Sequence, residues 1–190
     1  MLHDLPAMSS SVRLANPSLL PGRPGPDAGF AAPYEMLAAC HDKVQRMLDL
    51  LERLQAHLRE QGPDSQAAQA ARDVMRYFDL AAPLHHEDEE RHVFPLLLHS
   101  GNPAWVALAG RLQQEHRDMA PAWAALRQQL ERVAAGQGQS LQAEGFASLY
   151  RAHLRAEDEL AYPAALRLGN AVLSAEMGRD MMQRRGWPGV

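Results

Sequence analysis

One eleven-residue pattern occurs twice in the sequence, and it constrains the fold more than any other feature. Residues 85–95 read HHEDEERHVFP and residues 153–163 read HLRAEDELAYP, at an offset of 68 residues. Both copies follow the pattern His-x-x-x-Glu-x-x-x-x-[Phe/Tyr]-Pro. Because an α-helix turns about 100° per residue, a histidine and a glutamate four positions apart project from the same face. The repeat therefore predicts two helices that each present a His/Glu pair in the same way.

Apolar residues recur at helical spacing through four long segments and one short one. The spacing predicts helices over residues 34–60, 65–99, 103–135, 140–168 and 171–185. Short loops with glycine or proline separate the long segments, and such loops favour antiparallel neighbours. We therefore expect an all-α fold, an antiparallel up-down four-helix bundle with a short C-terminal fifth helix. Kinks are expected where prolines fall inside the pattern, at Pro83, Pro95, Pro121 and Pro163.

The chain is expected to contain three regions. These are a flexible Pro/Gly-rich N-terminal arm (1–32), the four-helix bundle (33–169), and a C-terminal helix and tail (170–190). The net charge is -4, and Lys43 is the only lysine, so no basic face for nucleic acid is expected. The single cysteine and the lack of a long apolar run indicate a cytoplasmic protein with no membrane span.

Four histidines and two glutamates fall on the apolar faces of the four long helices. Burying such groups is costly unless a partner neutralises them. Imidazole nitrogens and carboxylate oxygens suit iron, manganese or zinc, and two glutamates can each bridge two metal ions. The predicted metal ligands are His41, His85, Glu89, His116, His153 and Glu157.

Other polar residues close to these positions are assigned different roles. Three residues of the first copy of the repeat have no matching partner in the second, and we place them beside the site, in the core or on the surface: His86, Glu90 and His92. Three acidic residues either orient the imidazoles or belong to solvated helix faces, and both alternatives stay open: Asp42, Glu115 and Asp118. The histidines off the apolar faces are expected on the surface or in loops: His3, His57 and His99.

At these residues the chain resembles the hemerythrin-like family of HHE cation-binding domains, over about residues 33–186. The resemblance rests on His41-Asp42, on both copies of the repeat, and on Glu115-His116. It implies a carboxylate-bridged non-haem centre with two iron ions (Fe–O–Fe), although manganese or zinc would also suit the ligands. It further implies binding or sensing of dioxygen, nitric oxide or iron, with a small diatomic ligand as partner.

Two alternatives stay open at this point. One is a di-iron enzyme that acts on nitric oxide or peroxide. The other is a cation-binding bundle that uses zinc or a single metal ion mainly for stability. All three interpretations need the same ligands, so the sequence alone does not separate them.

The sequence departs from the oxygen-carrying hemerythrins on the third and fourth helices. Where those have a further histidine four residues after the first, this chain has Ala120, and His153 and Glu157 are separated by four residues rather than five. Two six-coordinate irons need about twelve bonds, so four histidines, two bridging glutamates and one oxo or hydroxo bridge leave about two positions open. We expect a centre that is open to small ligands, with Tyr34 or Tyr150 as candidates to fill a gap.

Overall fold

The structure, a computed structural model, describes residues 29–187, and most of the predicted N-terminal arm lies outside this range. In chain order, the helices are α1 (Pro33–Glu60), α2 (Ser65–His92), α3 (Phe94–Leu98), α4 (Pro103–Ala134), α5 (Glu144–Ala156), a π-helical turn (Glu157–Ala161), α6 (Tyr162–Leu168) and α7 (Ala171–Arg184). Residues 29–187 contain no strand. Helices α1, α2, α4 and α5 pack against their sequence neighbours, and α1 also contacts α5. The predicted all-α four-helix bundle with a short fifth helix is confirmed.

Local sequence signals fix where the helices begin. The Asp64 side chain accepts a hydrogen bond from the backbone N–H of Ala67 at 2.7 Å, which caps α2. Asn102 caps α4 in the same way, and Pro103 occupies the first helical position, where its missing N–H costs nothing. Within the described chain, no helix is long and apolar enough to cross a membrane.

The first copy of the repeat ends in a helix break. Helix α2 runs unbroken through Pro83, ends at His92, and the chain restarts as α3 at Phe94. Pro95 has no N–H to donate, and its ring would collide with the carbonyl of Arg91 in a continuous helix. The predicted single helix over residues 65–99 is therefore two helices.

The second copy of the repeat ends differently, in the π-helical turn. Here the backbone N–H of Tyr162 donates to the carbonyl of Glu157, five residues back, and Pro163 follows directly. The turn accommodates the proline without ending the helix. Pro121 also lies inside a helix, and α4 runs through it unbroken.

The fourth long helix begins at Glu144, four residues later than the expected position 140. The backbone N–H of Gln142 donates to Gln129 Oε1 at 2.9 Å, and that of Ala143 donates to Gln55 Oε1 at 3.3 Å. Side chains of α4 and α1 thus accept hydrogen bonds from two backbone N–H groups that precede the helix and have no partner within it.

The interior of the bundle is divided into two apolar clusters. One contains the C-terminal part of α1, the N-terminal part of α2 and residues of α4 and α5, including Leu51, Phe78 and Leu130. The other contains the start of α1, helix α3 and part of α7, including Leu37 and Met181. Along each long helix a polar stretch separates the two clusters, so a polar layer crosses the bundle.

Helix α7 is attached beside this polar layer through a buried acid. The side chain of Asp88 is 0% exposed, and its carboxylate pairs with the guanidinium groups of Arg184 and Arg185. Arg185 Nη2 donates to Asp88 Oδ2 at 2.6 Å. Because Asp88 precedes Glu89 on α2, this ion pair fixes α7 against the helix that carries two of the six predicted ligands.

Candidate metal centre

The polar layer brings together the six residues that the sequence predicted as metal ligands. Each long helix contributes at least one of them, and the two glutamates come from α2 and the π-helical turn. Glu89, His153 and Glu157 are fully buried, and the His116 side chain is only 7% exposed. The centre is therefore enclosed between the two apolar clusters.

The four histidines form two pairs. Nε2 of His41 lies 3.0 Å from Nε2 of His85, and Nε2 of His116 lies 2.9 Å from Nε2 of His153. Each pair combines one histidine from a copy of the repeat with one from a helix that lacks the repeat. The arrangement has the pseudo-two-fold symmetry that the repeat suggested.

Each glutamate divides its two oxygens between the histidine pairs. Glu89 Oε1 lies 3.3 Å from His85 Nε2, while its Oε2 lies 3.5 Å from His116 Nε2. Glu157 Oε1 lies 3.0 Å from His153 Nε2, while its Oε2 lies 3.4 Å from His41 Nε2. Two groups of potential ligands result, each able to hold a metal ion, and both groups contain both glutamates.

Carboxylates orient three of the four imidazoles from outside the centre. The contacts to Nδ1 are His41 with Asp158 Oδ1 at 2.8 Å, His116 with Glu90 Oε1 at 3.0 Å, and His153 with Glu115 Oε2 at 2.8 Å. A carboxylate at Nδ1 holds the proton there and leaves the Nε2 lone pair directed inward, as in many metal sites. The expected orienting role holds for Glu115, whereas Asp118 instead accepts from Gln114.

The donor set fits a metal ion on geometric grounds. When Nδ1 of both His116 and His153 donates to a carboxylate, their Nε2 lone pairs face each other at 2.9 Å, an arrangement that only a cation or a shared proton makes favourable. In addition, Glu89 Oε2 and both Glu157 oxygens are buried and accept no hydrogen bond from the described residues. Such orphaned acceptors are costly in a protein interior, and a bound cation would satisfy all three.

The pKa shifts of the buried groups also favour a cation in the polar layer. Burial lowers the pKa of His41, but the carboxylates of Asp158, Glu157 and Glu89 outweigh it and raise that pKa to about 12. For His85, burial dominates and lowers the pKa to about 3, so this imidazole stays neutral and keeps a free lone pair. Burial and the nearby Glu89 charge raise the pKa of Glu157. The two carboxylates thus draw positive charge into the layer, and a metal ion would supply it.

Comparison with known proteins agrees with this geometry. Residues 32–165 match the family described as the hemerythrin HHE cation binding domain. The chain belongs to this hemerythrin family. It is also 34% identical, over 165 residues, to a Haemophilus influenzae protein described as uncharacterized, and the match covers 83% of this chain and 92% of the relative.

From the sequence, His86 was placed beside the site, in the core or on the surface, and not among the metal ligands. His86 forms a further possible metal-ligand group with His116 and His153, and its ring stacks on His116 with centroids 3.9 Å apart. Nε2 of His86 lies 2.8 Å from the Tyr150 hydroxyl. The repeat argued against His86 because its counterpart in the second copy is Leu154, so this part of the centre does not follow the pseudo-symmetry.

The sequence also missed Tyr162 at this centre. Its hydroxyl lies 2.9 Å from His41 Nε2 and donates a hydrogen bond to Glu89 Oε1. Neither tyrosine that the sequence suggested takes this position. The Tyr150 hydroxyl contacts His86, and the Tyr34 ring packs edge-on against Tyr162 at 6.3 Å. The aromatic position of the repeat was the signal that could have identified Tyr162.

The remaining histidines of the described chain lie outside the centre. His57, expected on the surface or in a loop, lies in α1 and is only 6% exposed, and Oδ2 of Asp64, the N-cap of α2, lies 3.1 Å from its Nε2. His92 Nε2 lies 2.7 Å from Asp180 Oδ2 on α7, which ties α2 to the C-terminal helix. His99 is exposed as expected, and His3 lies outside the described residues.

Proposed function

We propose that the chain is a non-haem di-iron protein that binds or senses dioxygen, nitric oxide or iron through a centre bridged by Glu89 and Glu157. The observation that carries this proposal is the sharing of both glutamates between two neighbouring ligand groups. One group contains His41 and His85, and the other contains His116 and His153. A site for one metal ion would need only one of these groups.

The chemistry of the donors is compatible with iron. All six predicted ligands offer imidazole nitrogen or carboxylate oxygen, a set that suits iron, manganese or zinc. Cys40, the only cysteine, belongs to none of the potential ligand groups among residues 29–187. Two adjacent iron ions would supply redox chemistry toward a small bound ligand, which zinc does not offer.

The residues of the chain would perform three tasks around such a centre. Glu89 and Glu157 would hold the two metal positions at a fixed separation, and the outer carboxylates would keep the imidazoles aligned. The apolar clusters on either side would exclude bulk water and admit a small uncharged ligand more readily than an ion. The His86 side chain would line the side of the centre that contains His116.

The test is ligand binding by iron-loaded protein. Protein loaded with ferrous iron without oxygen is titrated with dioxygen and, separately, with nitric oxide, while the optical spectrum is recorded. The proposal predicts a stable adduct with one of these ligands that reverses on degassing. An adduct that changes the stability of the fold, without consumption of the ligand, would also agree with it. Glu157→Gln should lose the adduct, while His57→Ala, a buried histidine outside the centre, should keep it.

Two outcomes would contradict the proposal. Repeated consumption of nitric oxide or peroxide without loss of iron would show a di-iron enzyme instead. Preferential retention of zinc, with no adduct after anaerobic iron loading, would show a centre that serves stability.

A further inference from the structure

The two copies of the repeat differ at the aromatic position, where one has Phe94 and the other has Tyr162. The two rings occupy equivalent places in the centre. Phe94 packs against His116 with centroids 5.4 Å apart, and Tyr162 stacks on His41 with centroids 5.1 Å apart. Both aromatic residues are buried. At the aromatic position of the repeat, a hydroxyl therefore lies beside the pair of His41 and His85, and the equivalent position beside the other pair has none.

The hydroxyl of Tyr162 lies among the predicted ligand atoms. It contacts His41 Nε2 at 2.9 Å and Glu89 Oε1 through a hydrogen bond. Those two atoms belong to the ligand group formed with His85. A metal ion bound by these atoms would have the phenol oxygen directly beside it.

The π-helical turn explains why Tyr162 reaches the centre. In an α-helix, a residue five positions after Glu157 would lie about 140° away around the axis. In the π-helical turn, the Tyr162 N–H bonds to the Glu157 carbonyl, so the fifth residue lies close to one full turn further on. Glu157 and Tyr162 therefore face the same side. Turns of this kind occur frequently at functional sites.

We infer that Tyr162 is an additional ligand, whose phenolate oxygen binds the metal ion held by His41 and His85. This inference rests on the proposed di-iron function. On binding ferric iron, Tyr162 would give up its hydroxyl proton to solvent and its phenolate oxygen would supply the lone pair of the new bond, so no electron would be transferred. Phenolate is an established protein ligand of ferric iron. Tyr162 fills one coordination position that the sequence count left open, and the two metal positions differ in their ligands.

The experiment is resonance Raman spectroscopy of the full chain, loaded with ferrous iron and oxidised by air. Excitation in the visible absorption band should enhance the ring vibrations of a coordinated phenolate. Tyr162→Phe should remove both the band and the vibrations while the iron content is retained. The change is conservative, since Phe94 occupies the equivalent place. Tyr150→Phe, which removes a buried hydroxyl that contacts His86, is the matched control and should keep both signals.

The chain has four tyrosines, so the assignment can be tested by replacing the other three even if Tyr162→Phe does not fold. In that case wild-type protein with ring-deuterated tyrosine should show shifted vibrations, and single replacements of Tyr34, Tyr77 and Tyr150 by Phe should each leave them in place. Loss of the vibrations in any of these three variants would overturn the inference.

Other results separate this inference from the proposed function. Full iron loading without phenolate vibrations, or vibrations that persist in Tyr162→Phe, would overturn the inference and leave the di-iron proposal intact. Failure of the wild-type chain to load iron would overturn both.

Discussion

Replacing Asp88 by asparagine tests how strongly α7 is held against the helix that carries Glu89. The Asp88 carboxylate is fully buried and pairs with Arg184 and Arg185, whose side chains are only 13% and 14% exposed. Asparagine keeps the shape but removes the charge. Arg185 is then left without an anion among the described residues, whereas Arg184 keeps its pair with Asp180 at 2.9 Å.

The expected loss is large. Breaking a buried ion pair from one side costs about 3–5 kcal/mol, and we take about 3 kcal/mol because the amide oxygen of asparagine can still accept a hydrogen bond. For a chain of this size, about 3 kcal/mol corresponds to a decrease of roughly 6–12 °C in Tm.

The assay is urea unfolding of chelator-treated protein, followed by circular dichroism. The matched control is Glu52→Gln, which removes the carboxylate from the partly exposed Arg151–Glu52 pair. This change should lower the free energy of unfolding by about 0–1 kcal/mol. If Asp88→Asn and Glu52→Gln lower the free energy of unfolding equally, the buried ion pair of Asp88 stabilises the fold no more than an exposed pair does, and the reasoning is refuted.

The remaining predictions concern a metal ligand, a glycine and metal removal. His153→Ala should lower the iron content of loaded protein, whereas His57→Ala should lower stability and keep the iron, as measured by plasma mass spectrometry. Gly178→Ala should destabilise by about 1–3 kcal/mol, because the new Cβ would lie 1.9 Å from the Phe30 carbonyl oxygen, whereas Gly110→Ala, with open space around it, should stabilise by about 0.5–1 kcal/mol in urea unfolding. Chelation should lower Tm by roughly 5–11 °C relative to protein with metal at a hundredfold excess over Kd, measured by differential scanning calorimetry.

The spacing of the sequence was sufficient to predict the four-helix architecture and to group the six proposed ligands, because both follow from one rule. A continuous α-helix turns by a constant angle, so residues three, four or seven apart share a face. His85 with Glu89, and His153 with Glu157, lie inside regular helix up to the glutamate, and the structure brings them together at the place that the spacing predicted.

The same rule fails where the backbone departs from a regular α-helix. Tyr162 follows a π-helical turn, so its direction could not be obtained from a constant angle per residue. The contact of His86 with His116 depends on how closely α2 and α4 pack, which helical spacing within one segment does not contain. His57 is buried near the end of α1 and lies beside Asp64, the N-cap of the next helix, a contact across a loop that carries no periodic signal.

The most direct test of the central claim is the metal content of protein purified without a metal-binding tag, measured together with its optical spectrum after anaerobic iron loading and oxidation. The shared-glutamate geometry predicts close to two iron ions per chain, with charge-transfer bands of an oxo-bridged ferric pair. A single iron per chain at saturation, or zinc that iron does not displace, would contradict the account, since Glu89 and Glu157 would then not bridge an iron pair.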